Sequence, residues 1–222
     1  MSVNSFINTI AKYGGMSFSN NFQVKILNSP VPYNDLDTIV SLFCDEAQLP
    51  NTNTAQGQYN GIYLGSGSVS YPHTRVYTEL QLGFMLDANL SALKYLNKWM
   101  DHIFMSDSDE FTNASLAKMQ TPNLKPRNRE IKVRYKDNYA TTIFISKTEI
   151  GPYAPNQRAP ITYVLEEAYP YAVDAIPLAY GNAQLTKVSA QISYARHYTV
   201  NNDITSVAGT LAGMYNASQK KL

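Results

Sequence analysis

Residues 76–104 read VYTELQLGFMLDANLSALKYLNKWMDHIF, and they carry two hydrophobic periods, one after the other. The first half alternates apolar side chains with polar side chains or glycine, which is the period-two pattern of a strand with one buried face. The apolar face of this strand holds Val76, Leu80, Leu82, Phe84 and Leu86. The pattern indicates a sheet that packs against a core on one side.

The second half of the stretch predicts an amphipathic helix. Asp87 and Asn89 offer N-caps, since their side chains can accept hydrogen bonds from the first helical N–H groups. An apolar stripe then follows at spacings of three, four and three residues, formed by Leu93, Leu96, Met100 and Ile103 with Trp99 beside it. We expect the helix to end near Phe104, to lie across a sheet and to seal one opening of its core.

Upstream, the sequence predicts one short helix and two strands. The helix spans residues 5–13 and ends at Gly14-Gly15. The strands bury Phe22, Val24 and Ile26 in the first, and Val40, Leu42 and Cys44 in the second, which runs to about Ala47 before Pro50 interrupts it.

Residues 51–75, NTNTAQGQYNGIYLGSGSVSYPHTR, form the most unusual stretch, because they are polar and rich in Gly and Asn. A structureless loop of that length is uncommon in a compact domain. Asn60-Gly61 is a strong turn signal, since both central turn positions favour positive φ. We therefore predict an extended hairpin that its own domain does not cover and that needs another chain to pair with.

Downstream, alternating residues predict four further strands. Their buried faces are Ile131, Val133 and Tyr135; Ile143 and Ile145; Ile161, Tyr163 and Leu165; and Val188, Ala190, Ile192, Tyr194, Tyr198 and Val200, with His197 on the polar face of the last. Asp137-Asn138 is a predicted turn, and residues 105–129 and 151–160 are predicted connections. Together, these predicted helices and strands indicate a mainly β (α+β) fold. It is an antiparallel β-barrel or sandwich with one amphipathic helix across it, a short N-terminal helix and the extended hairpin.

Bulk composition narrows the class of protein. A chain of 222 residues with 44% apolar composition can bury the core of one large domain, which we place at residues 1–203, with 204–222 as a tail or weak helix. A net charge of +1 gives no overall field that would mark a nucleic-acid or membrane-surface binder. The sequence shows neither a signal peptide nor a long apolar run, so we expect a chain made in the cytoplasm that has no membrane partner.

Residue types that carry chemistry are scattered. The three histidines, His73, His102 and His197, lack the spacing of metal motifs, and the lone Cys44 reads as a buried apolar residue. Glu166 and Glu167 are adjacent in a predicted strand and should point to opposite faces, which excludes a shared acid and base role. We expect no catalytic, cofactor or metal site and no enzyme activity.

Six cations lie within residues 125–136, KPRNREIKVRYK, and they could hold phosphate. Half of them alternate with apolar residues, as they would on the solvated face of a strand. A solvent or subunit-contact role is therefore favoured over a nucleic-acid role.

The order of these elements resembles the tail tube proteins of T-even-like contractile-tailed bacteriophages, within the tail tube and inner-tube superfamily. The resemblance covers about residues 5–200. Its most specific part runs from Asn21 to Phe104, where the strand FQVKI, the segment CDEAQLP at 44–50, a strand and a Trp-bearing helix follow in that order.

The resemblance implies a β-barrel-like subunit that forms hexameric rings, stacked into the inner tube of a contractile tail. The implied partners are other copies of the chain, the tail sheath, and the baseplate and tail-terminator proteins. Genomic DNA would pass through a neutral or acidic lumen without sequence recognition. The protein would be part of the virion, and the hairpin at 51–75 would reach the next subunit or ring.

Other functions stay open at this point. Extra residues near 105–128, 151–160 and after 200 leave room for a baseplate tube-initiator or a tube-terminator of the same fold. A type VI secretion inner-tube protein shares the fold logic but is usually more compact. From different classes, a nucleic-acid-binding β module using residues 125–136 and, last, a small hydrolase are the alternatives.

Overall fold

The computed structural model describes residues 2–59, 67–104, 133–149, 160–178, 180–181, 184–201 and 209–210. Within these ranges the helices are α1 (Val3–Lys12), α2 (Leu36–Phe43), α3 (Ser91–Ile103) and α4 (Lys136–Tyr139). The strands are β1 (Phe22–Leu27), β2 (Cys44–Ala47), β3 (Asn53–Tyr59), β4 (Val69–Val76), β5 (Leu80–Met85), β6 (Thr141–Lys147), β7 (Ile161–Val173), β8 (Lys187–Ser193) and β9 (Arg196–Val200). The predicted segments at 105–129 and 151–159 lie outside the described residues, as does nearly all of 204–222.

Two antiparallel sheets share strand β7. Sheet A has the order β1-β6-β7-β9, and sheet B has the order β2-β5-β8-β7. The first part of β7 pairs with β6 and β9, whereas Tyr169–Val173 pairs with β8. A bulge at the change-over places Glu167 at φ 53°, and such bulges bend a strand strongly enough to carry it from one sheet into another.

The inner faces of the two sheets enclose one apolar core. The strand residues buried in this core include Val24, Ile26, Leu80, Leu82, Phe84, Ile143, Ile145, Leu165, Val188, Ala190 and Ile192. Full burial of each larger aliphatic side chain contributes about 1.5–3 kcal/mol to folding. The described strands do not close into a barrel, so the mainly β, antiparallel prediction is confirmed in its sandwich form.

Helix α3 packs into this core with Trp99 at its centre. Trp99 is fully buried, whereas Leu93 and Met100 of the predicted stripe are only partly buried. The indole N–H of Trp99 donates to the carbonyl of Tyr139 at 2.9 Å, which satisfies the single polar atom of the ring. The predicted helix is therefore confirmed, but its buried face is rotated towards the residue expected beside the stripe.

The start of α3 depends on Asp87, although in a different way from the predicted cap. Leu90 occupies the N-cap position with φ 55° and makes no side-chain cap. The Asp87 carboxylate accepts hydrogen bonds from the backbone N–H of Ser91 at 2.6 Å and from its hydroxyl at 2.8 Å. These hydrogen bonds, that from the backbone first, lower the pKa of Asp87.

The predicted strand through Val40 and Leu42 is wrong. Leu36–Phe43 is helical as α2, and the strand begins only at Cys44. Ile39 and Val40 are buried while Leu42 is 67% exposed, which suits a helix face rather than an alternating strand. A short apolar run fits both periods, so the pattern alone could not decide between them.

In the described residues 133–138, the predicted strand and turn at 131–138 are also wrong. Residues 133–135 are in no strand, and Asp137 and Asn138 lie in α4. Instead of pairing with another strand, this segment contacts the end of α3: the backbone N–H of Arg134 donates to the carbonyl of Ile103 at 3.0 Å. Ile131 lies outside the described residues.

The predicted final strand is interrupted at Tyr194-Ala195. β8 continues sheet B up to Ser193, and β9 continues sheet A from Arg196. The two-residue break reverses the alternation, so that His197 is buried and Tyr198 is exposed, opposite to the expectation.

Candidate assembly surface

The predicted hairpin is present and belongs to neither sheet. β3 and β4 pair antiparallel from Asn53 opposite Val76 to Tyr59 opposite Val69. Val76 therefore ends the hairpin and is not part of β5, which corrects the sequence prediction. The Asn60-Gly61 turn signal falls outside the described residues.

The hairpin strands bury none of their side chains in the subunit. All of β4 is exposed, and in β3 only Ala55 and Gly57 are partly covered. The large exposed side chains are Tyr59, Val69, Tyr71 and Val76. A two-stranded ribbon on its own is marginally stable at best in water, which makes this hairpin a candidate surface for contacts with another chain.

Tyr71 packs across the hairpin onto Gly57. A Cβ added at Gly57 would lie 2.8 Å from a ring carbon of Tyr71, which is too close for any side chain unless the ring moves. The absence of a side chain at Gly57 thus leaves room for the ring of Tyr71 to lie across β3.

Both strands of the hairpin leave the sandwich through one polar and aromatic cluster, which we call the hairpin base and define as Asn51, Thr52, Tyr77 and Thr78. The hydroxyl of Thr78 donates to the side-chain oxygen of Asn51 at 2.6 Å and so ties the two ends together. Thr52 Oγ1 lies 3.4 Å from His197 Nε2, and the ring of Tyr77 meets the His197 ring edge-on at 5.2 Å. The sandwich therefore holds the hairpin through His197.

Sequence reasoning missed this role of His197. The continuous alternation from residue 188 to 200 placed the imidazole on a polar face. Only the Tyr194-Ala195 break, which the pattern did not reveal, turns the side chain inwards.

The outer strands of the sheets form a second candidate surface. In the described part of the chain, β1 pairs only with β6, β9 only with β7, and β2 only with β5. An outer strand has one row of backbone donors and acceptors that can pair with another chain.

Helix α1 forms a third candidate surface. It is amphipathic and has no buried residue, and Val3, Phe6 and Ile7 are each more than half exposed. The segment that follows is tied to the body at Glu149, whose carboxylate accepts from the hydroxyl of Ser17 and from the N–H of Phe18.

Lys147 holds the same carboxylate at 2.5 Å. The hydrogen bonds from Lys147 and then Ser17 lower the pKa of Glu149 to about 2. The carboxylate is thus ionised at neutral pH and anchors the N-terminal segment.

The cationic segment 125–136 is described only from residue 133. The guanidinium of Arg134 donates to the carbonyl of His102 at 2.9 Å, and Lys136 pairs with Glu167 at 2.6 Å. These two cations make contacts within the subunit. Val133 and Tyr135, between them, are exposed.

Other titratable groups show structural contacts. Glu166 pairs with Arg196, so the two adjacent glutamates hold different cations. Cys44 is buried, and burial raises the pKa of its thiol to about 12. Among the described residues no cluster of three or more His, Cys, Asp or Glu could hold a metal ion. No helix in that part of the chain is both long and apolar enough to cross a membrane.

Three solved structures share this fold. A chain in the baseplate of the anti-feeding prophage matches with TM-score 0.51 at 10% identity, over 86% of this chain and 99% of that one. A chain in the sheath-tube complex of an extracellular contractile injection system matches with TM-score 0.51 at 10% identity, over 90% and 99%. A chain in the cap that terminates the anti-feeding prophage tube gives 0.51 at 11%, over 84% and 91%.

The sequence itself also matches a family model. No curated protein sequence matches the chain significantly. The model of the phage tail tube protein family, however, matches residues 17–200, which include both sheets, α3 and the hairpin. The chain therefore belongs to the phage tail tube protein family, whose members are structural proteins and not enzymes.

Proposed function

We propose that this protein is the subunit of the inner tube of a contractile phage tail. Six copies form a ring, rings stack into a tube inside the sheath, and the genome leaves through the lumen. The chain is made in the host cytoplasm and becomes part of the virion. Residues 1–203 act as one tube domain, without a catalytic, cofactor or metal site.

The observation that carries this proposal is the exposed hairpin in a chain of the tail tube family. Its strands bury no residue in their own subunit. A neighbouring copy that covers Tyr59, Val69 and Tyr71 would remove apolar surface from water, which contributes about 25 cal/mol per Å². The hairpin is thus the main contact between copies in the proposed tube.

Ring closure uses the outer strands. β1 and β9 lie at opposite edges of sheet A, so one edge of a subunit can pair with the other edge of the next. Head-to-tail pairing of this kind closes into a ring when the rotation between copies fits. A baseplate chain of similar fold was solved with sixfold symmetry, which supports six copies.

A conduit for DNA requires a wall that does not hold phosphates. The net charge is +1. Arg134 and Lys136 already have partners within the subunit. Cations that are held in this way would contribute little to the binding of phosphates, so these two side chains would not retain the genome.

The proposed partners follow from the place of a tube in a contractile tail: the sheath around it, the baseplate below it and the terminator above it. Chains of similar fold occur in a sheath-tube complex, a baseplate and a terminating cap. No membrane partner is proposed.

A second candidate function is a tube initiator in the baseplate or a tube terminator. The observation in its favour is that the baseplate and cap chains match this fold with the same TM-score as the sheath-tube complex. These proteins would share the subunit fold but stop at one ring.

Electron microscopy of the purified full-length protein, from dilute to concentrated solution, separates these functions. We expect hollow tubes whose length grows with concentration. Single rings at every concentration would overturn the tube assignment in favour of an initiator or terminator. A monomer that binds DNA with a steep salt dependence would overturn both.

A further inference from the structure

His197 sits where it can control the direction of the hairpin. Tyr163 of β7 and Tyr194 at the break between β8 and β9 surround its ring at centroid distances of 6.3 and 5.8 Å, in addition to Tyr77. The side chain is 7% exposed. Thr52 and Tyr77, one from each end of the hairpin, are its contacts on the hairpin side.

The cage around His197 suits a neutral imidazole. Nε2 faces the Thr52 hydroxyl, and Nδ1 is buried without a hydrogen-bond partner among the protein groups that the structure describes. Protonation would turn both ring nitrogens into donors and leave one of them buried without an acceptor, which is costly.

The charged and titratable groups around the ring do not compensate for that cost. The positive charge of Arg75 on β4 disfavours a protonated imidazole. The three rings in contact with His197, those of Tyr77, Tyr163 and Tyr194, are uncharged. On β9 itself Arg196 is paired with Glu166, and the Glu79 carboxylate acts on the hydroxyl of Tyr194. Burial and, after it, the charge of Arg75 lower the pKa of His197.

We propose that neutral His197 holds the hairpin base against the sandwich, and that protonation of this imidazole releases the hairpin from the orientation in which it pairs with a neighbouring copy. The statement about the neighbouring copy rests on the proposed tube function. The release itself concerns the single subunit and does not.

The sign of the pH dependence follows from the lowered pKa. In the released state the imidazole reaches water and regains its ordinary value of about 6.5. The attachment is therefore fully present above pH ~6.5 and is lost as the pH falls below it towards the lower value of the attached state. Linkage to a released pKa of about 6.5 can weaken attachment by at most about tenfold between pH 7.5 and 5.5.

The release is tested on the full-length chain at concentrations below assembly. We expect NMR titration to place the pKa of His197 below 6.5. Amide hydrogen exchange of the hairpin, corrected for intrinsic rates, should accelerate by up to about tenfold between pH 7.5 and 5.5, while β5, β6 and β8 change little. A His197 pKa at or above 6.5, or hairpin exchange that does not change, would overturn the proposal.

Three variants separate titration from simple packing. His197→Gln keeps a polar group towards Thr52 but cannot titrate, so its hairpin exchange should stay constant over this pH range. His73→Gln on the exposed hairpin and His102→Gln on α3 should keep the wild-type response. A wild-type response in His197→Gln would refute the role of His197, and if that variant does not fold, the NMR titration and wild-type exchange decide.

Tube yield is measured separately over the same pH range. If tubes form at pH 7.5 and their yield falls with the hairpin attachment, both parts of the proposal hold. If tubes never form, the proposed function fails while the exchange data still decide the release. If hairpin attachment weakens but tube yield does not, the coupling to assembly is wrong.

Discussion

The sandwich buries its apolar side chains within the subunit, whereas the hairpin leaves its apolar side chains exposed. The sandwich fills one core with side chains from two sheets and α3, and Trp99, Ile143 and Ala190 are fully buried there. In the hairpin, Tyr71 is 48% exposed on a strand with no buried residue. The contrast teaches that one part of the chain is complete as a single subunit, whereas the other, under the proposed function, gains its packing from a neighbour.

The largest effect is expected from the core. Trp99→Ala removes the most deeply packed side chain and its hydrogen bond to the Tyr139 carbonyl, and it should lower the free energy of unfolding by about 3–5 kcal/mol. Chemical denaturation of the unassembled subunit measures this loss. Leu42→Ala, which truncates an exposed side chain on α2, is the matched control and should change stability by less than about 0.5 kcal/mol. Equal losses in the two variants would contradict the position of the core.

The next effect concerns assembly alone. Tyr71→Ala should leave the free energy of unfolding within about 0.5 kcal/mol, since the ring contacts little of its own sandwich. It should raise the concentration needed for assembly about tenfold or more, because an aromatic anchor at the centre of an interface costs about 1.4 kcal/mol or more when it is removed. Sedimentation of assembled material against concentration measures this, with Tyr71→Phe as the control that keeps the ring. If Tyr71→Ala destabilised the subunit but left assembly unchanged, the hairpin would be part of the subunit's own packing and not an assembly surface.

One chemical change can be made in both regions. At Gly83 in β5 a new Cβ would lie 3.0 Å from the Cβ of Glu46, so this part of the outer strand β2 must give by a few tenths of an ångström. Gly83→Ala should therefore cost about 1–3 kcal/mol of stability. Gly57→Ala displaces only the movable ring of Tyr71, and it should leave stability unchanged while weakening assembly severalfold. Thermal unfolding and sedimentation of both variants check this, and a larger loss of stability in Gly57→Ala would refute it.

The smallest effect is that of salt. Arg75 is the one charged residue on the two described hairpin strands. Screening of charges should therefore change the concentration needed for assembly by less than about threefold between 50 and 500 mM NaCl. Light scattering at several salt concentrations measures this. A tenfold rise would mean that ion pairs, and not the hairpin's apolar side chains, hold the copies together.

Sequence reasoning succeeded where a single period runs through an element. Alternation predicted β1, β5 and β6, the spacing of Leu96 and Ile103 predicted α3, and the polar stretch before Val76 predicted a projecting hairpin. These elements are decided by local pattern, and the sandwich follows from burying their apolar faces together.

The failures have a common cause in tertiary contacts. The run through Val40 fits a strand and a helix equally well, and packing against β1 and α3 decides for the helix. Residues 133–139 bind to the end of α3 instead of forming a strand. The N–H of Arg134 donates to the carbonyl of Ile103, and the indole N–H of Trp99 donates to the carbonyl of Tyr139. The break at Tyr194 turns His197 inwards because β7 passes from one sheet to the other opposite this point. The alternation of residues within 188–200 gives no sign of that change in a distant strand.

The most direct test of the central claim is to replace residues 53–76 with a short Gly-Ser linker and to examine the variant by electron microscopy beside the wild type. The two sheets contain none of these residues, so the variant should unfold within a few degrees of the wild-type subunit. We expect tubes from the wild type and no tubes from the variant. Tubes of normal length from a folded variant would contradict the claim that the hairpin is the element through which copies assemble.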